Sequence, residues 1–158
     1  MYDALTGSPT TPKQDRLVKL LVFSIGSLHL ALSVSTVKKV LNYSAVRGTG
    51  LSHFGITTIE DREITVIDLH RRLFKTPQAQ VSGDKGYLIL ALNSDGEYFG
   101  IWVAVAPSLE DVPLSQLRIL PESYRRSDTL SIASHVMALA TKDSTLTVFL
   151  LDVDRLLD

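Results

Sequence analysis

From Leu28 onward the chain alternates strictly: Leu28, Leu30, Leu32 and Val34 fall on one side, and His29, Ala31, Ser33 and Ser35 on the other. A period of two belongs to a strand with one buried face. The preceding run, Leu17–Ile25, is apolar enough to pair with it, and Gly26 supplies the turn. Leu17–Ile25 and Leu28–Val34 are therefore predicted to form the first hairpin. Taken whole, Leu17 to Val37 has the apolar content of a membrane span, but Lys19 and His29 interrupt it and Gly26-Ser27 break it near its middle. The hairpin is the better reading, and direct membrane insertion is not expected.

Further along, Val37, Val40 and Leu41 fall at helical spacing, so Thr36–Leu41 is expected to make a helical turn, and Asn42–Leu51, with Gly48 and Gly50, a loop. Glu63–Ile67 reads as a β-branched strand. Asp68–Phe74 reads as a helical turn, with Asp68 as N-cap and Arg71-Arg72 near its end, where cations suit the dipole. Thr76–Gly86 is polar, holds Pro77 and two glycines, and is expected to be the joint between two halves, near residues 76–86. Tyr87–Leu92 and Tyr98–Ala106 flank the turn Ser94-Asp95-Gly96 as a second hairpin. Thr145–Leu151 is another strand, and Asp152–Leu157 a closing helical turn. Ser131–Ala140 fits a helix through Ile132, Ala133, Val136, Met137 and Ala140, and a strand through Ile132, Val136 and Ala138. Residues 1–16, rich in Thr, Pro, Gly and Ser, are expected to be a flexible tail, and 17–158 a single domain. Many short strands with turn signals predict a mainly β protein built as small barrels.

Composition narrows the chemistry. At 158 residues, 45% hydrophobic and 21% charged, the chain has the make-up of one ordinary globular domain. A net charge of −1 gives no general attraction to nucleic acid or to an anionic membrane. The absence of cysteine excludes disulfides, thiolate metal sites and a cysteine nucleophile, in keeping with a cytoplasmic protein. No cationic, apolar-cored leader opens the sequence, so no secretory signal is expected.

No pattern of residues asks for catalysis. His29, His53, His70 and His135 are scattered and match no paired-ligand spacing. There is no nucleophile elbow, phosphate loop or dinucleotide fingerprint. Glu60-Asp61 and Glu110-Asp111 resemble acid pairs, but each reads as a turn with nothing apolar beside it to desolvate it. Arg71-Arg72 and Arg125-Arg126 lack interleaved aromatics, which favours surface charge over nucleic-acid binding. No cofactor is implied. Trp102, on a predicted strand with Ile101, Val103 and Val105, suits a core, or an interface hot spot in a binding protein.

Several segments, in order, resemble CheW, the adaptor that couples chemoreceptors to the CheA histidine kinase. They are Leu21-Val-Phe-Ser-Ile-Gly26, Val37-Lys-Lys-Val40, Gly55-Ile-Thr-Thr-Ile59, Ile64-Thr-Val-Ile-Asp-Leu69, Gly100-Ile-Trp-Val103 and Leu150-Leu-Asp-Val-Asp-Arg-Leu-Leu157. The resemblance implies two five-stranded SH3-like β-barrels packed side by side, with a few short helical turns. It also implies that Ser131–Ala140 is a strand, turned at Thr141–Ser144. The function it implies is non-catalytic: an adaptor in chemotaxis or related motility signalling, cytoplasmic and recruited to membrane receptor arrays. Its partners would be a CheA-type histidine kinase, which docks on one lobe, and a chemoreceptor tip, which enters an apolar groove between lobes. Open sheet edges would also allow self-association.

Some positions depart from the family pattern. Ile59-Glu60-Asp61 stands where the family has Leu-Arg-Gly, and Lys39 where it has glutamate, so both charges are inverted. The resemblance places these segments close together, which implies that an acid–base pair has been exchanged. Ala104-Val105 replaces Asp followed by a small residue, and Thr65 replaces a proline. By position, Val37, Lys39, Val40, Gly55, Ile59 and Glu60 correspond to the partner-binding edge of the first lobe, and Val103 and Val105 to the groove side of the second. The alternative reading is a divergent CheW-fold module whose partner lies outside the standard receptor–kinase array.

Overall fold

The structure, a computed structural model, describes residues 16–44, 54–76, 85–126 and 130–157. The expected tail up to Asp15, residues 45–51 of the expected loop, and 77–84 of the expected joint lie outside these. The described strands are β1 (Leu17–Ile25), β2 (Leu28–Ser33), β3 (Val37–Ser44), β4 (Phe54–Ile59), β5 (Arg62–Ile67), β6 (Lys85–Leu92), β7 (Tyr98–Val103), β8 (Ser108–Pro113), β9 (Arg118–Ile119), β10 (Ala133–Ala140) and β11 (Thr145–Leu151). Short helices α1 (Leu69–Phe74) and α2 (Glu122–Arg125) and three 3-10 turns, Val34–Thr36, Leu114–Gln116 and Val153–Arg155, connect them.

The strands form a five-stranded sheet, β3-β6-β7-β5-β4, and a six-stranded sheet, β9-β10-β11-β2-β1-β8. The mainly β, two-lobed expectation holds. The sixth strand is the two-residue β9, added at the edge beside β10. Within each sheet one contact is parallel, β5–β7 in the first and β11–β2 in the second.

The lobes are not successive halves of the chain. The N-terminal hairpin β1–β2 lies inside the six-stranded sheet, beside the C-terminal strand β11. The chain crosses to the other lobe through Val34–Thr36 and returns after Val103. Strands before and after residues 76–86 both belong to the five-stranded sheet, so this stretch connects α1 to β6 within one lobe and is not the joint. A polar, proline-bearing segment looks the same in sequence whether it links lobes or neighbours in one sheet.

Three apolar clusters hold the molecule together. The largest lies between the sheets and takes Leu21, Phe23 and Ile25 from β1, Leu30 and Leu32 from β2, and Phe99, Ile101 and Val103 from β7. A second fills the six-stranded lobe with Leu20, Val22, Ala31, Val112, Met137 and Val148. The third, inside the five-stranded lobe, is Val66, Leu88 and Trp102. Alternate residues of β1, β6 and β7 thus enter different clusters, which is why these strands read as near-continuous apolar runs. The expected single buried face of β2 is corrected in the same way: Leu30 and Leu32 enter the main cluster, while Ala31 is sealed in the second.

Local chemistry fixes the ends of these elements. The first hairpin closes through Gly26-Ser27 between the pair Ile25↔Leu28, with Gly26 at φ 58°. The Asp68 carboxylate caps α1 as expected, accepting from the Arg71 amide at 3.1 Å. Ala133–Ala140 is a strand against β11, turned where the Thr141 amide bonds the Ser144 carbonyl at 2.7 Å.

Gly86 permits the third cluster to form. A methyl group at this position would stand 2.7 Å from Trp102 Nε1 and 2.7 Å from the Val103 carbonyl oxygen, which belongs to the paired strand. Gly86→Ala is expected to destabilise the protein by about 1–3 kcal/mol through overpacking. Urea melts followed by Trp102 fluorescence would read it. An unchanged midpoint would mean that the strand pair yields freely.

Candidate functional site

The site is built where the two margins of the five-stranded sheet meet. β3 and β4 are its edge strands, and the Lys39 ammonium of β3 reaches Glu60 Oε2, just past β4, at 2.6 Å. The sheet therefore curls until its margins are bridged. Leu41 and Ile59, close in sequence to the two charges, pack beneath on Val66, Leu88 and Trp102. The Lys39 hydrogen bond, followed by its charge, holds the Glu60 carboxyl below the usual glutamate range. Both side chains are well exposed, so the pair adds little stability. The two margins therefore present charges of opposite sign.

A β-bulge sets the direction of these side chains. Val37 faces Ala91 and Lys39 faces Leu90, so Lys38 is an extra residue in β3. As a result Val37 packs on the main cluster, Lys39 turns to the other face, and Val40 returns opposite Ile89 of the main cluster. The expected helical turn over Thr36–Leu41 is thereby corrected: Thr36 ends a 3-10 turn and the rest is strand. The bulge puts Val37 and Val40 on one face three residues apart, and so imitates helical spacing.

The β4–β5 turn carries its own strain. Glu60 and Asp61 form a two-residue loop between the pair Ile59↔Arg62, with φ values of 52° and 64°. Such loops favour Asn and Gly because both central residues must be left-handed. Asp61→Gly is expected to raise stability by about 0.5–1 kcal/mol, because the left-handed cost exceeds the extra unfolded-state entropy of glycine. A fall in the unfolding midpoint would show that the Asp61 side chain supports the turn.

The other candidate residues divide. Gly55 lies half-buried on β4, opposite Val66. Val40 and Val105 are exposed. Val103 is 0% exposed in the main cluster, so its assignment as a partner-contacting side chain is corrected. It also ends β7, in the same lobe as Val37, rather than lining a second lobe. Sequence reasoning missed Ile56, which is 66% exposed beside Gly55, and Leu109 on the edge strand β8. Leu109 pairs with Leu21 and Phe54 with Ile67, so Leu109, Val40 and Ile56 all lie on sheet faces that bury the main cluster. With Val105, which follows β7, these exposed apolar side chains, three of them on edge strands, are the apolar rim of the described surface. Alternation through Phe54–Ile59 was the available signal for Ile56.

Of the residues weighed for catalysis, His53 lies outside the described residues. Among the described residues, no group of three or more His, Asp or Glu could hold a metal ion. Glu60-Asp61 is a turn as expected, whereas Glu110-Asp111 lies on β8, with Asp111 3.5 Å from Lys19. No helix is long and apolar enough to cross a membrane among the described residues.

A polar contact joins the lobes among the described residues: Asp154, after β11, accepts from the Ser94 amide at 2.8 Å and from the Ser94 hydroxyl, in the β6–β7 turn. The hydroxyl bond, then the amide bond, hold the Asp154 carboxyl below its ordinary range. A depressed carboxylate pKa stabilises the fold above the unfolded-state value, and that contribution disappears as pH falls through the folded value, so the window lies below about pH 4. Between pH 5 and the acid transition, Asp154→Asn is expected to melt lower than the wild type, and the gap should close in stronger acid. A gap independent of pH would detach the effect from the carboxylate's ionisation.

Comparison with known proteins agrees with this architecture. The scaffolding protein TtCheW from Thermoanaerobacter tengcongensis, known from a crystal structure, superposes with a TM-score of 0.63 at 20% identity, covering 84% of this chain and 88% of that one. Comparison with curated proteins finds no match. A family model for the CheW-like domain matches residues 19–158, from the second residue after the start of β1 to the end of the chain. The chain belongs to the CheW-like domain family.

Proposed function

We propose that this protein is a non-catalytic adaptor that couples a methyl-accepting chemoreceptor to a CheA-type histidine kinase, in chemotaxis or a related motility pathway. The observation that carries this reading is the family match over residues 19–158, most of the chain. Binding, rather than chemistry, is also what the surface offers: open strand margins and an apolar rim. The five-stranded lobe would meet the kinase along β3 and the β4–β5 turn, through Val40, Lys39, Glu60, Ile59 and Gly55, with Val37 supporting the edge from behind. The rim of Ile56, Val105 and Leu109 would receive the receptor's helical tip, and the complex would assemble at the cytoplasmic face of receptor arrays.

Affinity capture with the regulatory domains of the CheA-type kinases from the same genome tests the reading. Retention of one of them, weakened by Val40→Asp and left intact by Ile56→Asp, supports it. Retention of none, with the wild-type protein folded, ends it.

The bridged Lys39 and Glu60 favour a second reading, in which the same fold serves a partner of changed charge. The two differ in one outcome. If Lys39→Glu with Glu60→Arg gains affinity for a conventional kinase and receptor, the standard array with co-adapted partners is the better account. If it gains none, the changed partner is.

A further inference from the structure

The sequence offered Arg125-Arg126 as surface charge, but the structure places the pair in a cavity with a third arginine. The cavity, of about 510 Å3, lies at one end of the six-stranded lobe, where the chain from β9 into α2 meets the C-terminal turn. Ile119, Leu120 and Pro121 form an apolar wall, and Arg125, Arg126, Arg155 and Glu122 supply charge.

Among the described residues the charges do not balance. Arg155 is engaged, its Nη1 donating to the Ser131 carbonyl at 2.9 Å and its Nε lying 3.5 Å from Asp152. Among the described residues, the ion pairs are Lys19–Asp111, Lys39–Glu60 and Arg155–Asp152, and none includes Arg125 or Arg126. Among the described residues, Glu122 is the lone carboxylate in the lining. Arg125 Nε is closed off from solvent and donates to no group of the described residues. A buried donor without an acceptor is costly, and more so on a cation.

We infer that this cavity binds a small phosphate-bearing organic molecule of nucleotide size, its phosphoryl oxygens accepting from the guanidinium groups of Arg125 and Arg126. Guanidinium forks match phosphate oxygens two at a time, and the described lining carries more positive than negative charge, which favours an anion. The apolar wall, with Ile119 76% exposed, suits the organic part of the ligand. The volume falls within the range of small-molecule sites. This inference is independent of the proposed coupling function.

The test is a titration of the full chain with ADP, with inorganic phosphate, and with phosphatidylglycerol vesicles, followed by calorimetry and amide chemical shifts. ADP and phosphate should shift the amides of Ile119–Arg126 and of Arg155, and ADP should bind the tighter. Arg126→Gln, at an exposed position, should weaken ADP by about tenfold without lowering the melting temperature. Glu122→Gln should tighten it. The inference is overturned if millimolar ADP and phosphate move none of these amides. It is also overturned if Arg126→Gln and Arg125→Gln bind ADP like the wild type, or if only the vesicles bind.

Discussion

Phe99→Ala is expected to remove about 3–5 kcal/mol of stability, the range for phenylalanine truncation in a core that cannot collapse. Phe99 is fully buried in the cluster between the sheets. It pairs with Ala91 on one side and Thr65 on the other, in a strand hydrogen-bonded to both β6 and β5. Neighbouring strands so fixed cannot close over the void, and the lobes lose a contact that both share. For a chain of this size the melting temperature should fall by about 6–20 °C. Ile56→Ala, on the open margin of the same sheet, supplies the contrast: a 66% exposed side chain should change stability by about 0.5 kcal/mol or less. Parallel thermal and urea melts of the two variants would measure the difference. If Phe99→Ala melted like Ile56→Ala, the inter-sheet cluster would not be what holds the lobes together.

The contrast between these residues also marks what the sequence made legible. The strand character of β2, the Ser94-Asp95-Gly96 turn and the β-branched run of β5 all act through neighbours in the chain, and all were read correctly, although β2 buries both faces rather than one. The features that were misread depend on partners distant in sequence. β8, with Leu109, Glu110 and Asp111, shows little apolar content because it is an edge strand whose pairing with β1 supplies its structure. The bulge at Lys38 is defined by its register against Ala91 and Leu90, more than fifty positions away, and without that partner it mimics a helix. The interleaving of the lobes leaves no local trace either, because β1 carries apolar residues for two clusters at once. Val103 was misplaced for the same reason: an aliphatic residue near a strand end reads alike whether it faces a partner or a core. The resemblance to CheW did carry one long-range fact through, the nearness of Lys39 to Glu60.

That pair supports the prediction with the largest functional effect. Lys39→Glu combined with Glu60→Arg keeps a cation facing a carboxylate across the same seam, and restores the charge order that the family pattern shows at these positions. An exposed pair contributes little to stability in either sense, so the variant should fold and melt close to the wild type. Presenting the wrong sign to a docking surface, by contrast, costs several kcal/mol. The protein's own partner should therefore bind the doubly reversed variant about a hundredfold or more weakly, with much of the loss reaching the association rate at low salt. Lys39→Glu alone adds a second effect, because it sets two carboxylates against each other where the margins now meet. It should lower both stability and affinity, and Glu60→Arg should then recover the stability without the affinity. Calorimetric titration of the four proteins against the captured partner, beside their thermal melts, separates the two effects. If the double variant bound the partner as tightly as the wild type, the seam would be a structural closure that no partner touches, and the docking face would have to lie on the apolar rim alone.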